Sequence, residues 1–90
     1  MIETFRHEGL RRFFEADDRS KLPPYMVERI RTILAFLDVA GVVEDMDQPT
    51  LRLHALKGGL KGFWAVTVQA NWRIVFRFAD DAARDVDFVD

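Results

Sequence analysis

Apolar positions along the 90-residue chain change period once, near Pro49, and the change separates a helical half from a strand-forming half. Before it, apolar residues recur every three or four positions. Leu10, Phe13 and Phe14 share one face of Glu8 to Ala16, with Arg11, Arg12 and Glu15 on the other, which predicts a short amphipathic helix. Asp17-Asp18-Arg19-Ser20 is a polar break, and the Pro23-Pro24 pair after it supplies a helix start signal. Met26, Val27, Ile30, Ile33, Leu34 and Leu37 then mark a longer helix, opposed by Glu28, Arg29, Arg31 and Asp38, with Gly41 as its expected stop. The short break between the two predicts an antiparallel helical hairpin. Ahead of them, Met1 to Arg6 alternates as a short strand would, and after them the acidic connection Val43 to Pro49 has room for one helical turn.

Beyond Pro49 the period is two. Leu51 and Leu53 alternate with Arg52 and His54, predicting a short strand, and Lys57-Gly58-Gly59 turns the chain. Phe63 to Gln69 places Trp64, Val66 and Val68 on one side and Phe63, Ala65 and Thr67 on the other. After a tight turn at Ala70-Asn71, Trp72, Ile74, Phe76 and Phe78 define an apolar face opposed by Arg73, Val75 and Arg77. A turn over Asp80-Asp81-Ala82-Ala83 leads to a last strand through Val86 and Phe88 to Asp90. Helices first and an antiparallel meander second give an α+β class, with the two helices packed on one face of the sheet. The other face is then open and basic. It carries Arg73 and Arg77, with His54 and Lys57 approaching from the neighbouring strand and turn.

Composition narrows the function classes. One small domain over residues 1–90 is expected, since a chain of this length has space for one core. The absence of cysteine excludes disulfides and thiolate metal sites. No apolar run is long enough to span a membrane and the charged N-terminus lacks a signal-peptide pattern, so a soluble, cytoplasmic protein is expected. The net charge of −2 hides a dipolar layout, with Leu51 to Ala79 carrying +5 and the remainder −7. Arg52, Lys57, Lys61, Arg73 and Arg77 fall in that stretch, which contains no Asp or Glu. A local basic surface on an acidic body attracts phosphates within a screening length of about 8–10 Å, although a solvated basic face would read the same. The acids of the 43–49 connection match no calcium-loop spacing, so no metal site is expected.

Serine is represented once, by Ser20, and Thr67 has no evident base beside it, so hydrolysis through a triad is disfavoured. Gly58, Gly59 and Gly62 do not form a phosphate-cradling loop before a helix. RNA strand cleavage fits better. It needs a group to deprotonate a 2′-hydroxyl, cations for the charge growing on phosphorus, and an acid for the leaving 5′-oxygen. Taken singly, His54 also fits a capped surface histidine, and Arg73 an ordinary exposed strand residue.

Three blocks carry a family resemblance: Met1-Ile2 with Phe5-Arg6-His7 and Gly9-Leu10; Arg52-Leu53-His54-Ala55-Leu56-Lys57-Gly58; and Gly62-Phe63-Trp64 running into Val68-Gln69-Ala70-Asn71-Trp72-Arg73-Ile74. In these the chain resembles the HigB-type toxins of the RelE superfamily, the ribosome-dependent mRNA interferases of type II toxin–antitoxin pairs. The resemblance implies a RelE-like fold, cleavage of mRNA in the ribosomal A site without metal or cofactor, and inhibition of translation. It implies a catalytic set of His54, Lys57, Arg73 and Asp90, in which Lys57 and Arg73 hold the scissile phosphate and His54 aids orientation or proton transfer. Asn71 joins Asp90 in organising the site. Arg52 and Lys61, as neighbouring cations, and Arg77, added from strand parity, complete the expected RNA-binding surface. The implied partners are the ribosome, mRNA and a helix-turn-helix antitoxin that makes the DNA contacts itself. The family pattern continues after the aspartate with Tyr-His, whereas this sequence stops at Asp90. That departure gives an alternative expectation: a catalytically weakened or inactive toxin domain that binds an antitoxin in transcriptional autoregulation.

Overall fold

The two periods become two layers in a computed structural model, which describes residues 1–90. The helical half forms α1 (Glu8–Ala16) and α2 (Val27–Val39). The strand half forms β1 (His54–Ala55), β2 (Phe63–Gln69), β3 (Trp72–Ala79) and β4 (Ala82–Val89), one antiparallel sheet in the order β1-β2-β3-β4. The class is α+β. No helix is long and apolar enough to cross a membrane.

Each helix has a local cause. The extended His7 caps α1 by accepting the Leu10 N–H on its Nδ1 at 3.1 Å. Asp17 closes it in the left-handed conformation at φ 56°, with its N–H returned to the Phe13 carbonyl. On the solvent side Arg11 bridges Glu8 and Glu15. A 3₁₀ turn over Pro24–Met26 precedes α2, consistent with a proline-led start. Gly41 is not the stop that its identity suggests. α2 ends when Ala40 turns extended, and the N–H groups of Gly41 and Val42 are taken by the Asp45 carboxylate of a second 3₁₀ turn, Val43–Met46.

Buried residues of both helices and one face of the sheet form a single core. Leu10 and Phe13 of α1 and Val27, Ile30, Ile33, Leu34 and Leu37 of α2 cluster with Val66, Val68, Ile74, Phe76, Ala83, Val86 and Phe88. Trp72 closes one end by stacking on Phe88 with ring centroids 4.6 Å apart.

Three details depart from simple alternation. The strand expected from Leu51 shrinks to His54–Ala55 because Arg52 sits at φ 54°, which breaks the run while Leu51 stays buried and its carbonyl still accepts the Thr67 N–H at 2.7 Å. β4 begins at Ala82, since the turn is confined to Asp80 and Asp81 at φ 55° and 64°. The expected N-terminal strand is reduced to two parallel bridges along the outer edge of β4, Ile2 with Ala83 and Phe5 with Val86.

Two irregularities in register matter more. β4 places three residues where β3 advances by two, between the pairs Val75–Asp87 and Arg77–Arg84, and Asp85 in that bulge is left-handed at φ 53°. β2 does the same between Thr67–Arg73 and Gln69–Trp72, making Val68 the extra residue. The Val68 carbonyl accepts the Nε–H of Arg29 at 2.6 Å, and another Arg29 nitrogen donates to the Thr50 carbonyl at 2.8 Å. An arginine on α2 thus braces the bulge from the core side.

The sheet face away from the helices is also less open than the strand pattern suggests. Phe63, Ala65, Val75 and Ala82 are buried yet lie outside the main core cluster. Strand alternation puts them on the side opposite Trp64, Val66, Ile74 and Ala83. That face therefore has a small apolar floor of its own, and the polar groups stand around it.

Candidate active site

Cross-strand register fixes which polar side chains share this face. One row runs His54–Ala65–Val75–Asp87 across all four strands, and the next runs Thr67–Arg73–Val89. Directly paired residues point to the same side of an antiparallel sheet, so His54, Asp87, Thr67 and Arg73 all project away from the helices. His54 is a diagonal neighbour of Thr67, a relation that separates residues by about 7–8 Å.

At the β2–β3 turn this face forms a cleft of about 430 Å³ lined by Thr67, Ala70, Asn71, Arg73 and Asp90. The hairpin reverses in two residues, and Ala70 takes the left-handed conformation at φ 52°. The Val68 bulge lies just before this turn, whose Ala70 and Asn71 line the cleft together with Thr67 and Arg73. Arg73 is half-buried and makes no hydrogen bond or ion pair with the rest of the chain. A guanidinium held beside an amide, a hydroxyl and a carboxylate, with its donors unspent, is suited to a ligand with phosphate oxygens.

The structure brings together Asn71, Arg73 and Asp90 in this cleft and adds Thr67, which the sequence offers only as an unpartnered threonine. It places His54 beside the cleft on β1. The His54 Nδ1 lies 2.9 Å from the Arg52 carbonyl, an acceptor, so Nδ1 carries the proton there and Nε2 of the neutral ring keeps its lone pair. Lys57 precedes the 3₁₀ turn Gly58–Leu60, exposed and without a side-chain partner, and Lys61 follows it. Neither lines the cleft, and nor does the exposed Arg52. Arg77 stands four residues along β3 from Arg73, exposed and 3.5 Å from the Asp85 carboxylate. Asp87 is a group on this face that is absent from the expected site residues, although alternation with Val86 and Phe88 points it outward. It is half-buried in the His54 row, with its Oδ1 accepting the Phe88 N–H at 2.9 Å.

A second concavity, about 190 Å³, lies between the helices and is lined by Phe13, Phe14, Arg31, Leu34 and Ala35. Its one charged group, Arg31, is engaged by Asp17 and Glu28 and lies 4.7 Å from the Phe13 ring. It offers no acid–base or nucleophilic group.

Comparison with known proteins gives concordant results. The chain is 38% identical over 90 residues to the endoribonuclease HigB of Proteus vulgaris, an alignment covering all of this chain and 98% of that protein. It is 32% identical over 85 residues to toxin HigB-1 of Vibrio cholerae serotype O1, covering 92% and 90% of the two chains. Among solved structures, a crystal structure of an E. coli YafQ mutant matches with a TM-score of 0.57 at 15% identity, covering 97% of this chain and 89% of that one, a likeness of fold. The profile of the HigB-like toxins, RelE-like toxins of type II toxin–antitoxin systems, matches residues 3–90, and this chain belongs to that family.

Proposed function

We propose that the chain is an endoribonuclease that cuts mRNA in the A site of the translating ribosome, by acid–base chemistry without a metal ion. In this reading it acts in the cytoplasm as the toxin of a type II pair and is held by a helix-turn-helix antitoxin. One observation carries the proposal: Arg73 faces the cleft with its guanidinium unpaired, next to Asn71, Asp90 and Thr67. The extent of the match to a Proteus protein named as an endoribonuclease supports RNA cleavage as the activity.

The reaction asks little of the protein beyond placement and charge. The 2′-hydroxyl loses its proton as its oxygen bonds to phosphorus, the bond from phosphorus to the 5′-oxygen breaks, and that oxygen takes up a proton. Arg73, with Lys57 from the adjoining turn, holds the non-bridging oxygens as negative charge accumulates. Losing one such donor lowers turnover by about 10²–10³. His54, with Nε2 free, orients the nucleophile or moves its proton, while Asn71 and Asp90 organise the site. Arg52, Lys61 and Arg77 extend the contact along the RNA.

Primer extension on a translated message tests this. Cuts within codons are expected only when ribosomes are present, and they should be strongly reduced in Arg73→Ala and Lys57→Ala. Cutting that is indifferent to both substitutions would remove the site assignment. A chain that binds its antitoxin tightly and cuts under no condition would be a binding module instead.

A further inference from the structure

The Arg77 end of the same sheet face holds a second cluster of cations. Phe63 opens β2 in register with Arg77, and the residue is only 9% exposed although it lies outside the main core. Guanidinium groups lie against it. The Cζ of Arg77 is 6.0 Å from the ring centroid and that of Arg6 is 5.2 Å. Arg6 comes from the far edge of the sheet, where its backbone N–H donates to the Val86 carbonyl of β4 at 2.8 Å. Its side chain therefore reaches back over β4 and β3 to a ring on β2.

Covering an apolar ring is one use of a long basic side chain, but the methylene stems suffice for that and leave the head group free to find a carboxylate. Here the guanidinium carbons themselves sit at cation–π distance. Arg6 has no hydrogen bond or ion pair from its side chain, and Arg77 has only Asp85 at 3.5 Å. Two cations therefore share one ring with a single carboxylate near them. A guanidinium held over a ring face has fewer orientations open to it, so less rotamer freedom remains to be lost when an anion binds. Planar donors held in this way match the oxygens of a phosphodiester. Arg77 lies four residues from Arg73 on one strand, about 13 Å away, too far to share a phosphate with it.

We propose that Arg6 and Arg77, held over the Phe63 ring, form a phosphate subsite that grips the RNA backbone to one side of the cleavage position. This rests on the RNA-cleaving reading above and names a contact residue, Arg6, that neither the strand pattern nor the cleft identifies. The phosphate can come from mRNA or from ribosomal RNA, and the test separates the two.

The full chain and its Arg6→Gln, Arg77→Gln and Phe63→Leu variants are titrated against ribosomes with and without mRNA, from 50 to 200 mM salt. Arg19→Gln, an exposed site between the helices, controls for net charge. Arg6→Gln and Arg77→Gln are each expected to bind about tenfold more weakly. The slope of log affinity against log salt should fall by about 0.7 per lost phosphate contact. Phe63→Leu keeps an apolar side chain under the arginines, so it should weaken binding while far-ultraviolet circular dichroism stays unchanged. In cutting assays KM should rise with kcat within about twofold, as loss of uniform binding requires. Loss confined to mRNA-loaded ribosomes assigns the phosphate to mRNA, and equal loss on both assigns it to ribosomal RNA. If Arg6→Gln and Arg77→Gln behave like Arg19→Gln while Arg73→Ala still abolishes cutting, the subsite is refuted and the proposed function stands. A wild-type chain that neither binds nor cuts refutes both.

Discussion

Ala70 is a residue whose replacement by glycine should raise stability, against the usual trend for that change. It occupies the first turn position of the β2–β3 hairpin at φ 52°. A left-handed backbone costs an L-residue about 1–2 kcal/mol, because Cβ crowds the following carbonyl oxygen. Glycine removes that cost but gives back about 0.4–1 kcal/mol through the greater freedom of the unfolded chain. The balance favours Ala70→Gly by roughly 0.5–1 kcal/mol. For a domain of this size each kcal/mol moves the midpoint by about 4–8 °C, so a rise of about 2–8 °C is expected. Ala35→Gly is the counterpart. Ala35 is exposed in the interior of α2, where the change should lose about 0.8–1 kcal/mol and lower the midpoint. Thermal unfolding followed by circular dichroism measures both. If Ala70→Gly melts at or below wild type while Ala35→Gly falls as expected, the left-handed strain assigned to Ala70 is wrong. Ala70 also lines the cleft, so the more stable variant is expected to cut RNA less well as the placement of Asn71 loosens.

Two further outcomes follow from contacts elsewhere. Hydrogen bonds from Arg11, reinforced by Arg12, hold the Glu8 carboxyl down at about 2, well below the ordinary carboxylate range. Because the folded-state value lies below the unfolded one, Glu8 contributes stability above about pH 4.3 that is lost as the pH falls towards 2. Glu8→Gln should flatten the acid limb of a denaturation profile over that window, and high salt should shrink the difference because the pairs are exposed. Arg29→Met removes both donors that α2 sends to the Val68 and Thr50 carbonyls, and a loss of roughly 2 kcal/mol in urea denaturation is expected. The same variant should cut RNA more weakly at temperatures where it stays folded, and unaltered cutting would separate the bulge from the site.

Much of the fold is legible in the sequence because the two periods are clean. Leu10 and Phe13 define α1, and Trp64, Val66, Ile74 and Phe76 give the correct inward face of β2 and β3. The pattern fails where the backbone leaves regular geometry without a glycine to announce it. Arg52 and Asp85 both adopt positive φ, the first delaying the start of β1 to His54 and the second letting Ala83 and Val86 both face inward although they are three positions apart. Parity puts Phe63, Ala65 and Val75 on the outer face with Arg73 and Arg77, but it does not say that they are buried there. Nor does it show that Phe63 would lie under two arginines, or that Asp87 would share a row with His54. The grouping of Asn71, Arg73 and Asp90 follows neither period. It depends on a turn and on the register of the last strand, both of which are tertiary facts.

β4 is last in the chain yet has a neighbour on each side: β3, and the segment from Met1 to Arg6. Backbone bonds tie Glu3 to Ala83 and Arg6 to Val86, and the Thr4 hydroxyl accepts the N–H of Asp85, 81 residues away. A ribosome making this protein releases the first of these partners long before the second exists. Ile2 and Phe5 wait in solvent until residues 82–89 clear the exit tunnel, and contacts of such sequence separation form late. A copy that terminates before Ala82 lacks the seat for its own N-terminus, lacks Val86 and Phe88 from the core, and lacks the Asp90 wall of the cleft. Prematurely ended copies are thus expected to reach proteases as unfolded chains, and the cleft around Arg73 is complete only on molecules whose synthesis has passed β4.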